Sequence, residues 1–194
     1  MNDLEARLAR FAATDPKPPT FPDADVAYTL HDTAIGTLLL AVAHGRVVAS
    51  SFADEETMTT RLARAISPRV LRQPRPLDDV RRQLDEYLAG ARTEFTVDVD
   101  LTLATPFQQL VLTDLRTHTA YGATKTYGEL AGALDRPKAA RAVGTALGAN
   151  PVCVVLPCHR VIGASGALTG YAGGLQAKQF LLNLEKKTAV FPPS

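Results

Sequence analysis

The sequence predicts an α/β protein of two small domains: an α/β unit in the N-terminal half and a helical domain containing a helix-turn-helix in the C-terminal half. Three observations predict this. Strand-like apolar runs bounded by turn signals fall mainly in the first hundred residues. Helical apolar spacing dominates from Pro106 to Leu147, interrupted by Asp135-Arg136-Pro137. The halves also differ in charge: residues 1–100 hold 12 Lys/Arg against 16 Asp/Glu, and residues 101–194 hold 9 against 4. The expected division is an N-terminal extension at 1–25, a supporting α/β domain at 26–102 and a second domain at 103–194.

Each element has a local reason. Residues 1–25 make a short helical start (Leu4, Leu8, Phe11) before Pro16, Pro18, Pro19 and Pro22. Thr33 to Val42 reads as a turn and a buried strand. His44-Gly45 is a turn signal, and Arg46 to Phe52 is the returning strand. Ala53 to Ile66 reads as a helix with acidic residues in its first turn and Arg61 and Arg64 in its last, which suits the helix dipole. After Pro74 and Pro76, Leu77 to Leu88 is a helix with Val80, Leu84 and Leu88 on one face. Phe95 to Leu101 alternates with period two and reads as a strand. The Arg69, Arg72, Arg75, Arg81 and Arg82 cluster reads as a solvated face.

In the second half, Pro106 opens a helix through Leu115. Thr126-Tyr127-Gly128-Glu129 has capping-box form and starts another. The helix after Pro137 is rich in Ala and Gly, including Ala139, Ala142 and Gly144, so a docked groove would be approached closely but read little. Val152 to Leu156 is a short apolar strand that delivers Cys158 at its end, beside His159. Five glycines between Gly163 and Gly174 make a loop able to approach a ligand, and Ala177 to Lys186 is a closing helix with Phe180, Leu181 and Leu184 inward.

Composition narrows the function. Apolar residues are 46% and charged residues 21% of 194, an ordinary globular balance. Two cysteines, Cys153 and Cys158, exclude a disulfide framework and suit a reducing cytoplasm. No run approaches the ~20 apolar residues of a membrane span. Zinc needs about four ligands at recognisable spacing, and the first hundred residues offer only His31 and His44. Cys158, His159 and the distant Glu185 could form a thiol–imidazole–carboxylate set, since a thiolate is the nucleophile. Adjacency of Cys and His alone is a weak signal, and by itself favours inert packing. Cys153 reads as core or pocket wall and not as a partner of Cys158.

Pro157-Cys158-His159-Arg160-Val161 resembles the O6-alkylguanine-DNA alkyltransferases, or methylated-DNA–protein-cysteine methyltransferases. The likeness extends through Arg141-Ala142-Val143-Gly144, Asn150-Pro151, Gly166 to Gly174, Lys178, Leu181-Leu182 and Glu185, covering residues 105–187 densely. The first half matches more loosely, through Ile35 to Leu40 and Gln83 to Gly90. The resemblance implies a ribonuclease-H-like N-terminal domain and a winged-helix-like C-terminal domain that binds the DNA minor groove, flips an alkylated guanine and moves its alkyl group to a cysteine. The acceptor would be Cys158, with His159 taking its proton through a water, Glu185 orienting His159 and Asn150 bracing the turn. Tyr127 would donate toward guanine N3 and Lys178 would support the site electrostatically. Arg141 would fill the gap left by the base, on a DNA-contacting face with Tyr127, Ala139, Ala142 and Gly144. Leu147, Cys153, Val161, Tyr171, Ala172 and Gly173 would line the base pocket.

The implied partner is double-stranded DNA containing O6-alkylguanine, with no membrane, metal or cofactor. A monomer is expected in solution, and cooperativity on DNA stays open. Three departures from the family pattern stand out: a loop near Thr117 to Ala120 longer by one residue, Leu112 where many members have Trp, and Cys153 where some have Pro. The rival readings are a lesion-binding protein without transfer, a winged-helix regulator and a thiol hydrolase. The first lacks the acceptor cysteine in its known relatives, whereas Cys158 is present here.

Overall fold

The computed structural model describes residues 24–190; the expected helical start and prolines of the N-terminal extension lie outside the described residues. Strands β1 (Val26–Thr33), β2 (Gly36–Ala43) and β3 (Arg46–Ser51) form an antiparallel meander. Helix α1 (Glu55–Ala65) then crosses over to β4 (Val70–Arg72), which pairs parallel with β1, so the sheet order is β3-β2-β1-β4. A 3-10 turn at Arg75–Leu77 leads into α2 (Asp78–Leu88). The helical domain contains α3 (Pro106–His118), a short β5 (Lys125–Thr126), α4 (Tyr127–Ala133), α5 (Ala140–Gly148), β6 (Val161–Ile162) and α6 (Gly174–Val190).

Both faces of the sheet are buried, which explains the unbroken apolar run in β2. Leu38 and Leu40 point to one face and Leu39 and Ala41 to the other, as the period-two geometry of a strand requires. The second face packs on Met58 and Leu62 of α1. The first joins Val80, Leu84 and Tyr87 of α2 and continues without a break into Val111, Leu112, Leu115, Leu130 and Val143 of the helical domain. One core therefore fixes the two domains against each other.

The helix ends follow the local chemistry. Asp54 caps α1 through the amide of Thr57. Thr105 with Gln108 and Thr126 with Glu129 each form a capping box at α3 and α4. The turn between α4 and α5 contains Asp135 at φ 57°, a left-handed position that Asp tolerates. Arg81 and Arg82 pair with carboxylates of their own helix, the solvated face expected.

Several expected elements differ. β1 and β4 carried no clear sequence signal and are strands. Phe95 to Leu101 is not a laddered strand: it touches β3 by a single bridge, Val47 with Val99. Its alternation survives as alternating burial, with Val97 in and Asp98 out. Val152 to Leu156 is not a strand either, but a buried turn that places Val154 at φ 71°. Its apolar composition reflects burial on all sides, which periodicity cannot distinguish from a strand. The last helix is longer than expected, and Phe180 faces out at 38% exposure; its inner face is instead Ala177, Lys178, Leu181, Glu185 and Thr188.

Leu112 is wholly buried in α3. Leu112→Ala is expected to cost about 2–5 kcal/mol, read as a lower denaturant midpoint at unchanged slope.

Candidate active site

The site is built on the turn between Asn150 and Arg160. Asn150 is buried, and its side chain organises the turn from inside. Oδ1 accepts from the Val152 amide at 2.9 Å, and Nδ2 donates to the Leu156 carbonyl and the Cys158 sulfur, both at 3.1 Å. The sheet domain holds the same turn from outside. Ser50 of β3 donates its amide to the Pro151 carbonyl at 2.9 Å and accepts from the Cys153 amide at 2.6 Å. Edge strand β3 is thereby covered. Cys158, His159 and Arg160 then form one 3-10 turn, so neighbouring side chains diverge by about a third of a turn.

Cys158 lines a cavity of about 210 Å³ with Tyr127, Gly144, Leu147, Gly148, Gly170, Tyr171 and Ala172. The thiol is held below its ordinary pKa chiefly by the neighbouring Cys153 thiol; burial opposes this, and Asn150 and the charge of Lys178 assist it. Cys153 is buried in the same turn, and its thiol donates to the Asn150 carbonyl at 3.5 Å. The four residues between the two cysteines fold back on themselves, with a Cys153–Leu156 bridge, and this closure was invisible in a run read as a strand.

His159 is fully buried, and burial lowers its pKa against the opposing pull of Glu185. Nε2 lies 2.6 Å from Glu185 Oε1, while Nδ1 has no partner among the described residues. An ionised carboxylate only accepts, so Nε2 carries the hydrogen and Nδ1 holds the lone pair of the neutral ring. Glu185 is itself saturated. It accepts from His159, from Arg160 Nε at 2.9 Å, from the Gly122 amide at 2.9 Å and from the Tyr87 hydroxyl. Burial raises its pKa, but these donors and the neighbouring charges outweigh it and hold the carboxyl at about 2.

Lys178, also buried, donates to the carbonyls of Val161 (2.6 Å) and Thr169 (3.1 Å), tying β6 to the glycine-rich loop. Tyr127 Oη is 2.7 Å from Thr169 Oγ1 at the cavity wall. On α5, Arg141 and Ala142 are exposed, and Ala139 at its N-cap is half-buried; Gly144 and Leu147 of the same helix line the cavity.

Three expected pocket residues fall outside the cavity lining. Cys153 is buried behind Cys158. Val161 is buried and contributes its carbonyl to Lys178. Gly173 faces the sheet domain, where an added Cβ would stand 2.6 Å from the Phe52 ring. Sequence reasoning did not assign Tyr87, Arg160, Gly122 or Thr169 to the site. Tyr87 and Arg160 stood inside quoted motifs, but a polar residue on an apolar helix face was the only hint for Tyr87. The amide of Gly122 carries no side-chain signal.

A lowered carboxyl pKa contributes stability above its ordinary value of 4.5, and this is lost as the pH falls toward about 2. The unfolding free energy should therefore drop by about 3 kcal/mol across that window from Glu185 alone. Glu185→Gln, leaving Arg160 buried without its counter-charge, should cost about 3–5 kcal/mol at pH 7 and much less at pH 2. Urea titrations of both proteins at several pH values check this.

The family model for the 6-O-methylguanine DNA methyltransferase ribonuclease-like domain matches residues 26–101, and that for the DNA binding domain matches residues 106–187. A methylated-DNA–protein-cysteine methyltransferase of Mycobacterium tuberculosis is 44% identical over 164 residues, covering 84% of this chain and 94% of the relative. The crystal structure of a Mycobacterium tuberculosis O6-methylguanine methyltransferase superposes with a TM-score of 0.73 at 42% identity, over 84% of this chain and 93% of that one. A structure from the same organism in complex with DNA gives 0.70 at 40% identity, over 83% and 93%. With both domain models matched and near-full-length relatives at this identity, the chain belongs to the 6-O-methylguanine DNA methyltransferase family.

Proposed function

We propose that this protein repairs DNA by moving the alkyl group of O6-alkylguanine directly and irreversibly to Cys158, one group per molecule. The observation that carries this is a low-pKa cysteine at a cavity wall, with a neutral, carboxylate-bound imidazole on the next residue. Relatives are named for transfer to a protein cysteine, and one is solved with DNA, which supports the same chemistry here.

The steps follow from the groups present. A guanine stacked in a duplex is closed to attack at its O6 substituent, so the base must leave the stack at a cost of a few kcal/mol. Helix α5 approaches the minor groove with its small residues Ala139, Ala142 and Gly144, and Arg141 enters the stack to fill the gap. The flipped base enters the cavity between Leu147, Tyr171 and Ala172. His159 Nδ1 takes the thiol proton through a water, and Glu185 keeps the ring in the tautomer that can do so. Asn150 braces the turn and hydrogen-bonds the sulfur. The thiolate attacks the alkyl carbon, an S–C bond forms, and the C–O bond breaks with its electron pair on the base. Tyr127 donates toward guanine N3 as that charge develops, and Lys178 adds positive potential. The thioether is stable, and no group beside it is suited to cleave it, so the protein is consumed. It works as a monomer in the cytoplasm, where the free thiols Cys153 and Cys158 stay reduced.

Incubation with a duplex carrying one O6-methylguanine should add one methyl group, mapped by mass spectrometry to the Cys158 peptide and absent in Cys158→Ser. Tight lesion binding without mass gain would instead support a lesion-flagging protein. Arg141→Ala should slow transfer from duplex DNA by roughly a hundredfold, from the unsupported flipping cost. Transfer from a free O6-alkylguanine base should be unchanged, since that substrate needs no flipping.

A further inference from the structure

Every group around Cys158 named so far as acting in the transfer comes from the helical domain. One further side chain reaches its proton-handling pair from the sheet domain. Tyr87, in the last turn of α2, is 1% exposed. Its ring is held between Phe95 (centroids 4.9 Å apart) and Tyr121 (5.8 Å, edge-on). Its hydroxyl donates to Glu185 Oε1 and lies 3.4 Å from His159 Nε2.

We propose that Tyr87 is a positioning residue for the transfer: its hydroxyl, supplied by the supporting domain, fixes Glu185 as the acceptor of His159 Nε2–H and so keeps Nδ1 free for the thiol proton. The inference rests on the transfer reading above. The argument is one of hydrogen-bond accounting. Nε2 has a single hydrogen and gives it to Glu185 at 2.6 Å. It therefore has no lone pair for Tyr87, and the phenol hydrogen goes to the carboxylate. Burial and the Glu185 charge both raise the Tyr87 pKa, so the phenol stays a donor at all relevant pH. A donor on Oε1 withdraws charge from the oxygen that faces the imidazole. Without it, that oxygen is more basic, imidazolium is better stabilised, and His159 is more often protonated before the thiol can give up its proton. Arg160 and Lys178 are the cations facing the pair, and Cys158, Tyr121 and Tyr171 are the other titratable groups around it. Arg160 Nε is shared between the two Glu185 oxygens, 3.1 Å from Oε1 and 2.9 Å from Oε2, so the Tyr87 hydroxyl adds a second donor to Oε1 beside a bifurcated one; Arg160 Nη1 is committed to the Thr119 carbonyl and Lys178 to two carbonyls.

The test is Tyr87→Phe, which keeps the ring packing and removes only the oxygen. Two readouts separate this proposal from the transfer reading. The first is His159 titration by NMR without DNA; in Y87F it should move upward relative to wild type. The second is single-turnover transfer from O6-methylguanine duplex. Y87F should be roughly tenfold slower at pH 7, with the lower limb of its pH profile displaced upward in step with His159. An unmoved His159 titration, or a wild-type rate with a wild-type pH profile, overturns the proposal. Failure of the wild-type protein to accept a methyl group would overturn the transfer reading, while the imidazole titration would still report on Tyr87. Should Y87F not fold, the wild-type spectrum answers: a slowly exchanging downfield Tyr87 hydroxyl proton close to the His159 ring supports the proposal, and its absence overturns it.

Discussion

A carboxylate removed from water must be matched nearly atom for atom, because an unpaired buried charge costs several kcal/mol. Glu185 is wholly buried, and its two oxygens are matched by the His159 ring, the Arg160 guanidinium, the Gly122 amide and the Tyr87 hydroxyl. These donors come from α2, from the loop before β5, and from the 3-10 turn that carries Cys158. Satisfying one carboxylate therefore locks four segments of chain and both domains into one geometry. Glycine at 122 is part of this: its φ is 75°, and a Cβ there would meet Ala189 at 2.9 Å. The backbone amide reaches the carboxylate because no side chain intervenes.

The position of Cys158 depends on a second network, centred on Asn150. Its amide satisfies the inside of a turn that would otherwise bury open carbonyls, and the same Nδ2 reaches the Cys158 sulfur. Val154 in a left-handed conformation is the strain that this closure imposes on a β-branched residue. Ser50 adds two backbone hydrogen bonds from β3, so the sheet domain contributes to the turn that carries Cys158 as well as to the His159–Glu185 pair. The N-terminal domain is more than a weight on the C-terminal one.

Much of this was legible in the residues. The helices α1 to α5 follow from caps, apolar spacing and breakers within a few residues of one another, and all five formed near their expected limits. The family motif places Cys158, His159, Asn150, Lys178 and Glu185 in one chain order, and the fold brings them together. Less legible were elements that depend on distant partners. β1 and β4 are strands because β2 and each other offer pairing, not because of their own pattern. Helix α6 turns Lys178 and Glu185 inward and Phe180 outward, which reverses the usual reading of a helix face, because the inner face serves the site.

The sequence by itself determined the α/β class, the helix-turn-helix and the family, because these rest on local periodicity, capping chemistry and motif spacing. Tertiary structure alone decided that the Asn150 side chain reaches the Cys158 sulfur, that Gly173 packs on Phe52 and that Tyr87 completes the carboxylate's shell. Each of these depends on which atoms meet after the chain has folded back across tens of residues, or round a buried turn, and no local pattern encodes such a meeting.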